Sequence, residues 1–221
     1  MTVKVTKPAV NLREELADLR KPSGIAGEAM LRAETPQEQF NLIGAGRRNL
    51  IINGDFQVSQ RATTFTRSGT GWGVYGSVDR WAVYYDHTVL AQNSAIIEGS
   101  YQYYASVGND GTAPSNHFTY QKIENGSRIV SGKAVTLSFL AKSANATKLR
   151  VRGRFYDSAT ESNAVDSGSK EFQLSPSWQR FEFTFTPVDT STNMTRDFLL
   201  IFDNIATTVD DIYDFTQVQL E

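Results

Sequence analysis

Lys148-Leu149-Arg150-Val151-Arg152-Gly153-Arg154-Phe155-Tyr156 sets Leu149, Val151 and Phe155 in alternation with Lys148, Arg150, Arg152 and Arg154. A period of two belongs to a strand with one face in a core and the other in water. Working outward, Val135, Leu137, Phe139 and Ala141 alternate with Thr136, Ser138 and Lys142, and Gln179 to Thr186 places Phe181, Phe183 and Phe185 on one side. Phe198 to Phe202 is almost wholly apolar, as a central strand covered on both faces is, and Val218 with Leu220 predicts a last strand. Upstream, Leu50 to Ile52, Arg80 to Tyr85, Ala95 to Ile97, Gln102 to Val107 and Phe118 to Ile123 are further strand candidates. Clusters of Gly, Ser, Asn and Asp separate these runs and no long helical pattern intervenes. That selects an antiparallel sandwich over a parallel α/β sheet. Trp81, in an alternating run, is expected in the core.

Residues 1–48 follow a different rule. Asn11 and Glu14 have capping-box spacing, and Leu12, Leu16 and Leu19 recur at helical intervals until Lys21-Pro22 ends the pattern. Thr35-Pro36-Gln37-Glu38 predicts a second short helix, with Thr35 as N-cap, Pro36 at the first helical position and Gly44 as the stop. Helices this short are marginal alone in water, so the leucine face needs a cover. The cover is either the chain's own body or a neighbouring molecule, and the glycine- and proline-punctuated composition favours the neighbour. The expected fold class is therefore mainly β: an antiparallel β-sandwich at 49–221, preceded by a short α-helical N-terminal arm at 1–48 for anchoring or oligomerisation through Leu12, Leu16 and Leu19.

Composition narrows the function. The 22 basic and 24 acidic side chains leave a net charge of -2, so no overall field draws in nucleic acid or an anionic membrane. With no cysteine, thiolate metal sites, disulfides and cysteine nucleophiles are excluded. His87 and His117 are the only histidines, which argues against histidine-based catalysis. Apolar runs are too short to span a bilayer and Met1 to Val10 lacks a signal-peptide core, so neither membrane insertion nor general secretion is expected.

Five strings then occur in one order: Asn49-Leu50-Ile51-Ile52-Asn53-Gly54-Asp55-Phe56; Ser77-Val78-Asp79-Arg80-Trp81; Ala134 to Ser143; Trp178-Gln179-Arg180-Phe181; and Val218-Gln219-Leu220-Glu221. The set resembles the galactose-binding-like jelly-roll modules related to carbohydrate-binding modules, in the version found in structural proteins of tailed bacteriophages. The stretches Lys21 to Ala29, Pro36 to Phe40 and Gly44 to Arg47 resemble the segment that precedes this module in phage tail-fibre-like proteins. The resemblance implies a jelly roll and a non-enzymatic virion protein on the particle exterior. It further implies attachment through the arm to other virion proteins, homo-oligomerisation as a trimer, and attachment to a host-surface glycan. A capsid decoration protein that recognises no sugar is the alternative, favoured by the absence of a long shaft in 221 residues. One departure is Ser59-Gln60-Arg61-Ala62, where the phage family often carries Trp-Gln-Arg-Gly, so no role of that tryptophan carries over.

Candidate contacts come from the residues themselves. Gly71-Trp72-Gly73-Val74-Tyr75-Gly76 matches the letters of a dinucleotide motif without the flanking strand and helix that such a site needs, and is expected as a loop presenting Trp72 and Tyr75 to a sugar or partner. In Tyr101-Gln102-Tyr103-Tyr104 alternation puts Tyr101 and Tyr103 on one strand face and Tyr104 on the other, making Tyr103 and Tyr104 further contact candidates. The row Lys148, Arg150, Arg152, Arg154 is expected to be neutralised by cross-strand acids such as Glu182. Asp210, Asp211 and Asp214 with Asn53 and Asp55 leave a structural calcium open, but the usual calcium-loop spacing is absent and no metal or cofactor is expected. No catalytic motif accompanies these carboxylates, so the chain is not expected to be an enzyme.

Overall fold

The computed structural model describes residues 32, 35, 38, 39, 49–69, 74–85, 87–111, 117–145, 148–157, 162–190, 196–205 and 212–221. In the arm, the Thr35 amide donates to Glu38 Oε2 at 3.3 Å and the Glu38 amide to Thr35 Oγ1 at 3.2 Å, the reciprocal pair that the spacing predicts. Leu12, Leu16 and Leu19 lie outside the described residues.

The body from Asn49 to Glu221 is a two-layer antiparallel β-sandwich. In chain order its elements are β1 (Thr64–Thr66), β2 (Trp81–Val83), β3 (Thr88–Ile97), β4 (Ser100–Asn109), β5 (Phe118–Ile123), the short helix α1 (Gly126–Val130), β6 (Val135–Lys142), β7 (Lys148–Asp157), β8 (Ser162–Gln173), β9 (Gln179–Phe185), β10 (Asp197–Asn204) and β11 (Tyr213–Leu220). Six strands pair in the order β1-β3-β4-β11-β6-β9 and five in the order β2-β5-β10-β7-β8. Every residue of β10 is buried because β5 and β7 flank it and both of its faces are covered.

Two strands were not foreseen, and both are sheet edges. β8 carries Ser, Asn, Asp, Lys and Glu because only one neighbour needs it and much of it faces water. β1 is three residues long, too short to show a period. Leu50 to Ile52, by contrast, forms no ladder strand, and Ile52 lies in a bend.

Aromatic rings fill the layer between the sheets. Phe56 lies 5.2 Å from Trp81 and 5.0 Å from Phe215, Trp81 lies 5.8 Å from Phe202, and Phe139 continues the contact at 5.2 Å from Phe202. Trp81 is fully buried, as expected, and its indole N–H donates to the Asn53 carbonyl at 3.1 Å.

That hydrogen bond belongs to a larger device. The Asn49–Phe56 segment bridges β11 of one sheet and β5 of the other, and meets its backbone needs partly on the backbone of β11, where the Val218 amide donates to the Gly54 carbonyl at 3.0 Å, and partly with side-chain amides. Asn49 Oδ1 accepts from the Ile51 and Leu220 amides, while the Leu50 amide donates to the Leu220 carbonyl. Gln121, buried on β5, accepts from the Ile52 amide at 2.7 Å and donates to the Ile52 carbonyl at 2.8 Å. Gly54 sits so close to β11 that a Cβ there would stand 2.1 Å from the Val218 carbonyl oxygen. Gly54→Ala is therefore expected to lower stability by about 1–3 kcal/mol through overpacking, and Trp81→Ala by about 3–5 kcal/mol through loss of the core ring. Denaturant melts check both, and an unchanged Gly54→Ala midpoint would contradict this close approach.

Candidate functional site

The site originates in an irregularity of β11. β11 pairs with β4 only from Tyr213 to Phe215. Next, Thr216 pairs with Leu140 and Gln219 with Ser138, so that two residues of β11, Gln217 and Val218, stand against one of β6, Phe139, and Gln217 takes a left-handed conformation at φ 52°. This is a β-bulge, and it turns the end of β11 away from β4. β4 continues with β3 alone to the turn at Glu98-Gly99. Only side chains bridge the parting: Thr216 Oγ1 donates to the Tyr103 carbonyl at 2.7 Å, and Gln217 Nε2 to Gln102 Oε1 at 2.7 Å. With the Asn49–Gln57 stretch as the other wall, the parting is a cleft of about 690 Å³. That is within the range of small-ligand sites, roughly 300–1,000 Å³.

Tyr101 and Tyr103 stand in this cleft, 69% and 38% exposed. They share the inward face of β4 with buried Ala105 and Val107, but lie beyond the point where the opposite layer covers it. Their ring centroids are 6.0 Å apart with planes at 81°, so the pair forms a corner and not a flat platform. The lining polar groups divide into two sets. Asn49, Asn53, Gln102 and Gln217 are committed to the protein; Asn53, for example, donates to the Val58 and Asp79 carbonyls and accepts from the Val58 amide. Asp55 accepts from Gln57 Nε2 at 2.6 Å, which leaves its second carboxylate oxygen and Gln57 Oε1 open. Gln219 and the Tyr103 hydroxyl also line the cleft with no protein partner among the described residues. Exposed rings beside unpartnered polar groups suit a ligand with both apolar faces and hydroxyls.

The other residues singled out from the sequence do not converge here. Tyr104 points to the outer face of the six-stranded sheet, edge-on to Trp178 at 5.3 Å, with the Lys142 ammonium 5.6 Å from its ring centre. Tyr75 packs beside a small outer cluster around Tyr120 and Ile201 and lines a separate depression with Arg61 and Lys122. Trp72 lies outside the described residues. The arginine row is neutralised, but not by Glu182, which sits opposite Ser138 in the other sheet. Arg150 and Arg152 both pair with Asp203 of β10, and Arg154 pairs with Asp166 of β8. The calcium group does not assemble from what is described. Asn53 is committed as above, Asp214 is held by Ser106 and Lys142, and Asp210 and Asp211 lie outside the described residues. Tyr101, on the same face of β4 as Tyr103, is the most exposed of the tyrosine trio, and alternation alone does not distinguish it from Tyr103.

The description "Carbohydrate binding domain" belongs to the family that matches residues 48–198. Among solved structures, a candidate sugar-binding protein of Bacteroides thetaiotaomicron VPI-5482 is 14% identical, with a TM-score of 0.54 over 79% of this chain and 99% of that one. The enzymatically active domain of tailspike protein 4 of bacteriophage CBA120 is 15% identical, with a TM-score of 0.49 over 78% of this chain and 21% of the tailspike chain. A family 11 carbohydrate-binding module from Clostridium thermocellum, solved with a mixed-linked tetrasaccharide, is 14% identical, with a TM-score of 0.45 over 65% of this chain and 89% of that one. At such identities the likeness is one of fold. No curated protein matches the chain.

Asp214 supplies a test of the outer face. Burial raises its pKa above the ordinary value, against the opposing pull of Ser106 and Lys142. A carboxyl that holds its proton more tightly when folded favours the folded state at low pH, and that advantage disappears as pH rises through the folded pKa. The stability of Asp214→Asn relative to the unaltered protein should therefore grow as pH rises from the ordinary carboxylate range towards neutrality. Thermal melts across pH check this, and a pH-independent difference would contradict the buried placement.

Proposed function

The chain belongs to the carbohydrate binding domain family, and on that premise we propose that it binds glycans in the cleft between β4 and the displaced end of β11. The observation that carries this reading is the exposed Tyr101–Tyr103 corner beside the open oxygens of Asp55 and Gln57 and the side chain of Gln219. A sugar ring has an apolar C–H face and a hydroxyl rim. The face stacks on one tyrosine while the other closes the side of the ring, and the rim hydroxyls donate to Asp55 and Gln57 and exchange hydrogen bonds with Gln219. The function is binding, with no bond made or broken.

The wider role we propose is that of a tailed-phage virion protein on the particle exterior. The arm at 1–48 attaches it to other virion proteins and associates copies through Leu12, Leu16 and Leu19, with a trimer as the expected stoichiometry. The support is the resemblance of the arm's strings to the segment preceding this module in tail-fibre-like proteins, together with the Thr35–Glu38 cap. Several copies on one particle would convert weak single-site contacts into firm attachment to a host surface.

Replacing Tyr101 and Tyr103 together by alanine should weaken glycan-array binding by about tenfold or more with little change in melting temperature, because both rings are exposed. Undiminished binding would remove the cleft as the site. Light scattering after size exclusion should give an oligomer for the full chain and a monomer after removal of residues 1–45. A monomer in both would count against self-association through the arm.

A further inference from the structure

We infer that Asp55 sets the charge selectivity of this cleft, so that it accepts sugars presenting only hydroxyls and excludes those bearing a carboxylate or sulfate. The inference rests on the cleft being the glycan site proposed above.

The lining carries six side-chain amides and two tyrosines, Asp55 is its one carboxylate, and no lysine or arginine is part of it. The nearest cation in its hydrogen-bond network is Arg180, held on Gln217 Oε1 at 2.5 Å. Four of the amides are committed to the fold. What remains is weighted towards acceptors: Asp55 has an open oxygen and Gln57, with its nitrogen turned to Asp55, offers Oε1. Neighbouring sugar hydroxyls can donate to both, and those bonding a carboxylate do so with charge assistance. An acidic sugar brings further acceptors and a like charge to the same place. Two like charges a few ångströms apart at a protein surface weaken binding by about tenfold. Asp55 is itself exposed, so its position follows from the backbone of the Asn49–Phe56 segment and not from packing of its side chain.

The test is isothermal titration of the full chain with matched oligosaccharide pairs, each a neutral glycan and its uronate-bearing counterpart of the same linkage. The unaltered protein should prefer the neutral member by about tenfold, and raising salt should narrow the gap. Asp55→Asn should close most of it by admitting the acidic member, while Asp55→Glu should keep it. A preference for the acidic member, or a ratio unchanged in Asp55→Asn, would overturn charge selection. If Tyr103→Ala abolishes binding while Asp55→Asn leaves the ratio intact, the glycan site stands and only charge selection falls. If no member of any pair binds, the glycan reading falls and this inference with it.

Discussion

The structure depends on how the Asn49–Phe56 segment is held between β11 of one sheet and β5 of the other. An irregular backbone at the edge of a core is stable only if its amides and carbonyls are matched. Here Asn49, Gln121 and the backbone of β11 do the matching, and Trp81 ties the segment to the aromatic layer through the Asn53 carbonyl. The amide side chains supplement the two backbone bonds to β11, Leu50 to Leu220 and Val218 to Gly54. Phe56 then drops between Trp81 and Phe215, so the same anchor that places the backbone also seals the core.

The second consequence is functional. A regular β11 would have zipped along β4 to the end, and the backbone groups around Tyr103 would have been buried in a ladder. The bulge at Gln217 prevents this, and the anchored segment stands opposite as a wall. The result is a cleft whose rigid parts are committed amides and whose free parts are a few polar groups and two rings. Pre-organisation of this kind limits the ordering cost on binding, because the residues that shape the cavity are already fixed by other bonds.

Much of the fold was legible. Val135 to Lys142 and Lys148 to Tyr156 alternate because each has one face on the core, and Phe198 to Phe202 is apolar because it is central. β8 was not legible because an edge strand with a wet face loses the apolar signal. The site was only partly legible. Alternation correctly separated Tyr103 from Tyr104, but no local pattern tells that β11 departs from β4, so nothing marked Tyr101 as the more exposed partner. Asp203, the partner of Arg150 and Arg152, is hidden in an apolar strand, whereas Glu182 lies in a sequence that merely looked complementary. Asn53 resembled a metal ligand in sequence, yet it holds a turn. Amides buried by long-range closure and amides facing a ligand are alike until the partners are known.

The proposed function turns on ligand entering the parting between β4 and β11. Backbone and side-chain chemical-shift mapping of the full chain, titrated with the tightest-binding oligosaccharide from an array, addresses it directly. The shifts are expected to cluster at Asp55, Gln57, Tyr101, Tyr103 and Gln219. Shifts confined to the Tyr104–Trp178 face or to the Arg150–Asp203 face, with the cleft silent, would contradict it.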